Sequence, residues 1–157
     1  MTKFTKNDLQ IKAQLYQKCI DFVENRFLIV ENSIKEIQES LISETKSSAG
    51  DKHETGRAML QLEREKVGQQ LAKVEKLKKD LIKIDISKTT KIIGLGSIVF
   101  TTQANYFISI SAGILQVGDF SFFAISPNSP IGEILMGKTL DNTIVLRTQN
   151  FKILHVL

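Results

Sequence analysis

The chain has 157 residues, 42% of them hydrophobic and 24% charged, with two prolines. That is the make-up of an ordinary folded protein of one domain or two small ones, and it excludes a disordered chain. The net charge of +4 divides evenly, with 16 basic against 14 acidic residues in 1–86 and 5 against 3 in the rest, so neither half carries the broad basic face that direct DNA binding uses.

The single cysteine, Cys19, excludes an internal disulfide and a multi-cysteine zinc site, and it reads as a small buried thiol near a helix seam. Met1–Lys6 leads into a charged helical pattern, and no run approaches eighteen uncharged apolar residues. A cytoplasmic protein without a membrane segment is the expectation.

From Leu9 the apolar residues fall at Ala13, Tyr16, Ile20, Val23, Phe27, Val30, Ile34, Ile37 and Leu41, alternating intervals of four and three. That is a sustained heptad repeat, and Thr5 or Asn7 can cap its start. A helix from about Asn7 to about Lys46 would be roughly 60 Å long, more than a small globular domain needs. It must project, pair with a partner, or both.

A break of small and polar residues follows, Ser47-Ser48-Ala49-Gly50-Asp51-Lys52-His53-Glu54-Thr55-Gly56. Beyond it Leu60, Val67, Val74 and Leu81 recur every seven residues, with Leu71, Leu77 and Ile84 filling the other seam position. Two arms of matched period across a short break predict an antiparallel coiled-coil hairpin over residues 1–86, with its tip near 47–56. Leu71, Val74 and Leu77 stand at two successive intervals of three, which predicts a local shift of the seam. Gly56 is taken as part of the tip and Gly68 as a surface or close-approach position.

At Ile86-Ser87-Lys88-Thr89-Thr90-Lys91 the period changes from seven to two, and a second domain is expected over 87–157. Ser97–Thr102, Asn105–Ser111, Ile114–Val117, Phe120–Ile125, Thr143–Arg147 and Phe151–Leu157 read as strands of an antiparallel sheet. Gly118-Asp119 marks a turn, in the reverse of the commonest hairpin order. Gly94-Leu95-Gly96-Ser97 lacks the strand-to-helix setting of a phosphate loop and reads as a turn. One short helix is predicted near residue 130, with Ser129 as N-cap, Pro130 first in the helix, Glu133 early in it and Gly137 closing it. The fold class is therefore α+β, a helical hairpin followed by a small β domain with one helix.

The chemistry-bearing residues are Asp51 and Glu54. In the first turn of a return helix they lie about 60° apart around the axis with side chains roughly 5–6 Å apart, near enough to address one cation. Magnesium asks for six oxygens, so two exposed carboxylates can only complete a site whose other ligands lie in a partner. The structural alternative is that they cap the helix and complement its dipole. Lys52 and His53 between them read as solvated, and Lys46-Ser47-Ser48 as turn residues rather than a contact to RNA. His155 lacks a second ligand at metal spacing, and Lys88, Lys91, Lys138, Arg147 and Lys152 read as scattered surface cations, with a docking face as the other reading.

Gly50-Asp51-Lys52-His53-Glu54 at the tip resembles the G-D-x-x-E motif of the bacterial Gre-type transcript-cleavage factors. Asn128-Ser129-Pro130-Ile131, with Leu135-Met136-Gly137-Lys138 and Asp141, is similar to that family's second signature. The resemblance spans nearly the whole chain. It implies an FKBP-like β domain over 87–157 and a transcription elongation factor, expected to be monomeric, that enters the secondary channel of RNA polymerase.

Carried across, Asp51 and Glu54 would hold a magnesium ion shared with the polymerase and promote cutting of the 3' end of a backtracked transcript by the polymerase's own site. The protein would then not itself be an enzyme, would bind no cofactor stably alone, and would meet the nascent RNA only indirectly, with no sequence-specific DNA binding. Ser129, Pro130, Ile131, Gly137 and Lys138 become candidate partner-binding residues.

The chain departs from the family in Lys52, where an apolar residue is usual, and in Thr55-Gly56-Arg57-Ala58-Met59 after the motif. A cation beside the acids weakens the hold on a metal, so a channel-binding regulator or inhibitor without cleavage stimulation is the alternative. Two further readings are an FKBP-like isomerase or chaperone, drawing on Phe100, Tyr106, Phe107, Phe120, Phe122, Phe123 and Phe151 though these are expected in the core, and a spacer module with an inert tip.

Overall fold

In the computed structural model the backbone is described over residues 6–46 and 50–157, and the side chains over 7–43 and 54–157. Two long helices come first, α1 (Lys6–Lys46) and α2 (Gly50–Ile82). Six strands and a short helix follow: β1 (Ile98–Thr101), β2 (Asn105–Ile108), β3 (Gly113–Val117), β4 (Phe120–Ile125), α3 (Pro130–Leu135), β5 (Thr143–Leu146) and β6 (Gln149–Val156). The class is α+β, as the periodicities predict. Two expectations at the helix starts are corrected: Asn7 lies inside α1 and Gly56 inside α2, because the helical backbone already begins at Lys6 and Gly50. Thr5 and Ser47–Ala49 lie outside the described residues.

The chain divides into two compact units, one taking α1 up to Phe22 with Lys79–Leu157, the other Val23–Lys78. In the second unit the heptad positions are the buried ones, Val23, Val30 and Ile37 on α1 with Val67 and Val74 on α2. Seven-residue spacing keeps each set on one side of its helix, so the two rows meet along a single seam. Lys78 stands where an apolar residue would continue the repeat, and its ammonium lies over the Phe27 ring, 3.8 Å from the centroid, a cation–π contact that keeps the charge at the seam's margin.

In the first unit the buried row of α1 differs from the predicted one. Leu9 and Ala13 are exposed, whereas Lys12, Leu15 and Cys19 are buried. Here α1 meets more than α2. Tyr16 Oη donates to the Leu81 carbonyl at 3.0 Å, but Lys12 Nζ donates to the Lys88 carbonyl at 2.9 Å and Cys19 Sγ lies 3.7 Å from Ser109 Oγ beside the sheet. A helix covered by both its hairpin partner and a sheet needs a second buried row, which a heptad count does not supply.

The strands form one sheet in the order β3-β4-β2-β1-β6-β5. It is mixed, which corrects the antiparallel expectation: β2 and β4 run parallel, with Tyr106 opposite Phe123 and Ile108 opposite Ile125. The reason is topological. β3 lies between these strands in sequence but outside β4 in space, so one reversal into β3 and another out of it return the chain to the direction of β2. The β3–β4 turn is Gly118-Asp119, closed by Val117 opposite Phe120, with Gly118 at φ 60°. A positive φ at the first central position is the type II′ pattern, which takes Gly first and explains the reversed order.

One face of the sheet packs Val99, Ile108, Phe151 and Ile153 with Ile93, Leu135 and Ile144. Phe107, Phe122 and Phe151 are core residues as expected. Phe120 and Phe123 are not, being 50% and 41% exposed, although Phe122 between them on β4 is fully buried. Among the described residues no helix is long and apolar enough to cross a membrane.

Candidate functional site

Asp51 and Glu54 are the second and fifth residues of α2. Helical geometry sets them three residues and about 60° apart on one side of the helix. Glu54 is exposed, while the side chains of Asp51, Lys52 and His53 lie outside the described residues. Beyond Glu54, in the unit Val23–Lys78, a groove of about 820 Å³ is lined by Glu36, Glu39, Ser40 and Ser43 of α1 and by Gly56, Met59 and Leu60 of α2.

Glu36 and Glu39 are not among the sequence candidates. In the sequence they read as part of a solvated helix face, and only the meeting of two helices sets them beside Gly56. Among the described residues no three His, Cys, Asp or Glu side chains stand together as a metal site would need. The Asp51 and Glu54 carboxylates suit a hard divalent cation in donor type, but they supply too few oxygens for an octahedral shell.

The second sequence motif is divided by the fold between construction and exposure. Ser129 caps α3, its Oγ accepting from the Gly132 amide at 3.1 Å and donating to the Ser126 carbonyl at 2.7 Å. Gly132 leaves no alternative, since a Cβ there would lie 2.1 Å from Ser126 O. Gly137 takes φ 80°, and its amide donates to the Ile93 carbonyl while the Ile93 amide donates to the Lys138 carbonyl, both at 2.9 Å. These bonds fasten the end of α3 to the segment entering the sheet.

Asp141, in the left-handed region at φ 71°, pairs with Lys152 at 3.4 Å. Of the five candidate partner-binding residues, Pro130 and Ile131 line a second groove with Leu146, Arg147, Thr148 and Gln149. Gly137 and Lys138 do not line it, and Lys138 is exposed.

Elsewhere the candidates resolve structurally. Burial pushes the Cys19 thiol pKa up, and the contact with Ser109 offsets this in part. His155 is half-buried on β6 opposite Phe100, its ring 5.9 Å from that phenyl ring. Gly94–Ser97 forms a turn in which Ser97 Oγ accepts from the Gly94 amide at 3.0 Å. Compared with models of known protein families and with curated proteins, the chain matches none.

Proposed function

We propose that this protein is a Gre-like transcription elongation factor, an α-helical hairpin joined to an FKBP-like β domain, that enters the secondary channel of RNA polymerase. The observation that carries the reading is the position of the acidic pair. Asp51 and Glu54 stand at the start of α2, only a few residues after α1 ends at Lys46, which is where a two-helix hairpin turns. Two carboxylates at such a turn are reachable by a partner and incomplete without one.

When bound between these acids and the polymerase, magnesium would supply a positive charge for the attacking water and the scissile phosphate. The residues of this chain then act by position. Glu54 and Asp51 contribute oxygens from one helix face, and the hairpin carries them to the site. In this reading the protein stimulates RNA cleavage by the polymerase and is not itself the hydrolase.

Lys52 favours a second reading, a regulator that occupies the channel without promoting cleavage, because an ammonium between the acids opposes a cation there. The two are separated by a transcript-cleavage assay on a backtracked elongation complex with the cognate polymerase and magnesium. Shortened transcripts with the natural protein, absent with the Asp51→Ala, Glu54→Ala double variant, are the expected result. Slowed elongation without cleavage supports the regulator, and no effect of either kind refutes both.

A further inference from the structure

Three cavities of the unit Val23–Lys78 lie end to end along one side of the two helices. Glu36 lines both the groove of about 820 Å³ beside Gly56 and the next one, of about 280 Å³, while Gln70 is shared between that one and a third of about 350 Å³. They therefore form a single groove between α1 and α2. From Arg26 to Ser43 on α1 it runs roughly 26 Å at the helical rise per residue. Ile29 on its wall is 66% exposed.

Charge is graded along this groove. The end lined by Arg26 and Lys73 has no acidic residue, the end lined by Glu36 and Glu39 has no basic one, and the middle holds Glu36 and Glu63 with Lys66. Three cations thus balance three carboxylates over the whole length, all six exposed. Among the described residues Glu36, Glu39, Glu63, Lys66 and Lys73 make no ion pair with one another or with any other side chain. A neutral surface with separated positive and negative ends complements a copy of itself turned end for end, because a two-fold axis across the helices near Ser33 and Gln70 brings the acids of one copy to the cations of the other. Parallel packing sets like charges together.

We infer that this groove is the interface of a homodimer, in which two helix pairs pack face to face and antiparallel, Glu36 and Glu39 of one copy meeting Arg26 and Lys73 of the second and Ile29 leaving water. A strip of that length and two helices wide covers on the order of 500 Å² on each copy, below the size of a permanent interface, so the association is reversible. The inference replaces the expectation of a monomer for the free protein. It stands apart from the polymerase reading, since its test uses no polymerase.

Sedimentation equilibrium of the full chain at low salt, from about 10 to about 500 μM, should show a mass rising from 17.6 kDa towards twice that value, and the association should weaken in about 0.5 M salt. E36K/E39K should weaken it at least tenfold. E24K/E31K, which makes the same change of net charge on exposed α1 positions outside the groove, should leave it within twofold of the natural protein. Adding R26E/K73E to E36K/E39K reverses both ends of the groove and should restore the association, with circular dichroism confirming that each variant keeps its helices. A monomer at every concentration, a dimer insensitive to E36K/E39K or weakened equally by E24K/E31K, a dimer strengthened by E36K/E39K as parallel packing requires, or a folded fourfold variant that stays dissociated would each overturn the proposal.

Discussion

Lys12 is 3% exposed on α1, and its ammonium donates a hydrogen bond to the Lys88 carbonyl. Burial holds its pKa below the ordinary value of 10.5, and the Asp85 carboxylate pulls it part of the way back. Asp85 is itself held below the usual carboxylate range, first by the Ser87 hydroxyl and then by the Ser87 amide. The sign of the pH effect follows. Between the lowered folded pKa of Lys12 and 10.5 the unfolded chain binds more protons at this site than the folded one, so this contribution to stability rises with pH across that window and is flat below it. In urea unfolding at pH 8, 9 and 10, the natural protein should therefore gain stability relative to Lys12→Met as pH rises; parallel profiles would refute the assignment. The hydropathy pattern does not reveal this residue. A lysine between Ile11 and Ala13 reads as solvated, and only the return of the chain at Lys88 supplies the acceptor that makes its burial tolerable.

Among the elements, α2 is the more legible of the two long helices. Its seven-residue row from Val67 to Leu81 is buried as the spacing requires, and its one anomaly, Lys78, is answered by Phe27. The sequence is compatible with either a surface site or a close approach at Gly68, and the fold decides for the surface: a Cβ at this position would have nothing within 4 Å. Glycine there costs the helix backbone entropy without a packing return. Gly68→Ala should stabilise the protein by about 1 kcal/mol in chemical denaturation, and an unchanged or lowered midpoint would show that the position is constrained after all. The short helix α3 is legible almost residue by residue, because Ser129, Pro130 and Gly137 act through local backbone geometry. In contrast, the mixed sheet is out of the sequence's reach. Strand order depends on where β3 lies in space, and the alternation of side chains is the same in parallel and antiparallel neighbours.

For the whole molecule, the division into two compact units sets an expectation about local stability. Among the described residues, the unit 23–78 holds two paired helices, whose buried side chains form a single narrow seam, whereas the other unit has a sheet packed with α3 and the ends of both long helices. Opening the unit Val23–Lys78 exposes less apolar surface per residue. Native-state hydrogen exchange should give lower protection for amides near Val30, Ile37 and Val67 than for Val99, Phe107 and Ile153; equal protection would show that the units open as one. What depends on near neighbours is legible in the sequence: the two long helices, the six strands and the capped helix, since periodicity and turn chemistry act over a few residues. Long-range packing instead set the second buried row of α1, the parallel pairing of β2 with β4, and the convergence of Pro130, Ile131 and Arg147 on one groove. Each of these joins residues separated by many positions in the chain, and which distant surfaces meet is settled by how the elements pack rather than by any local preference.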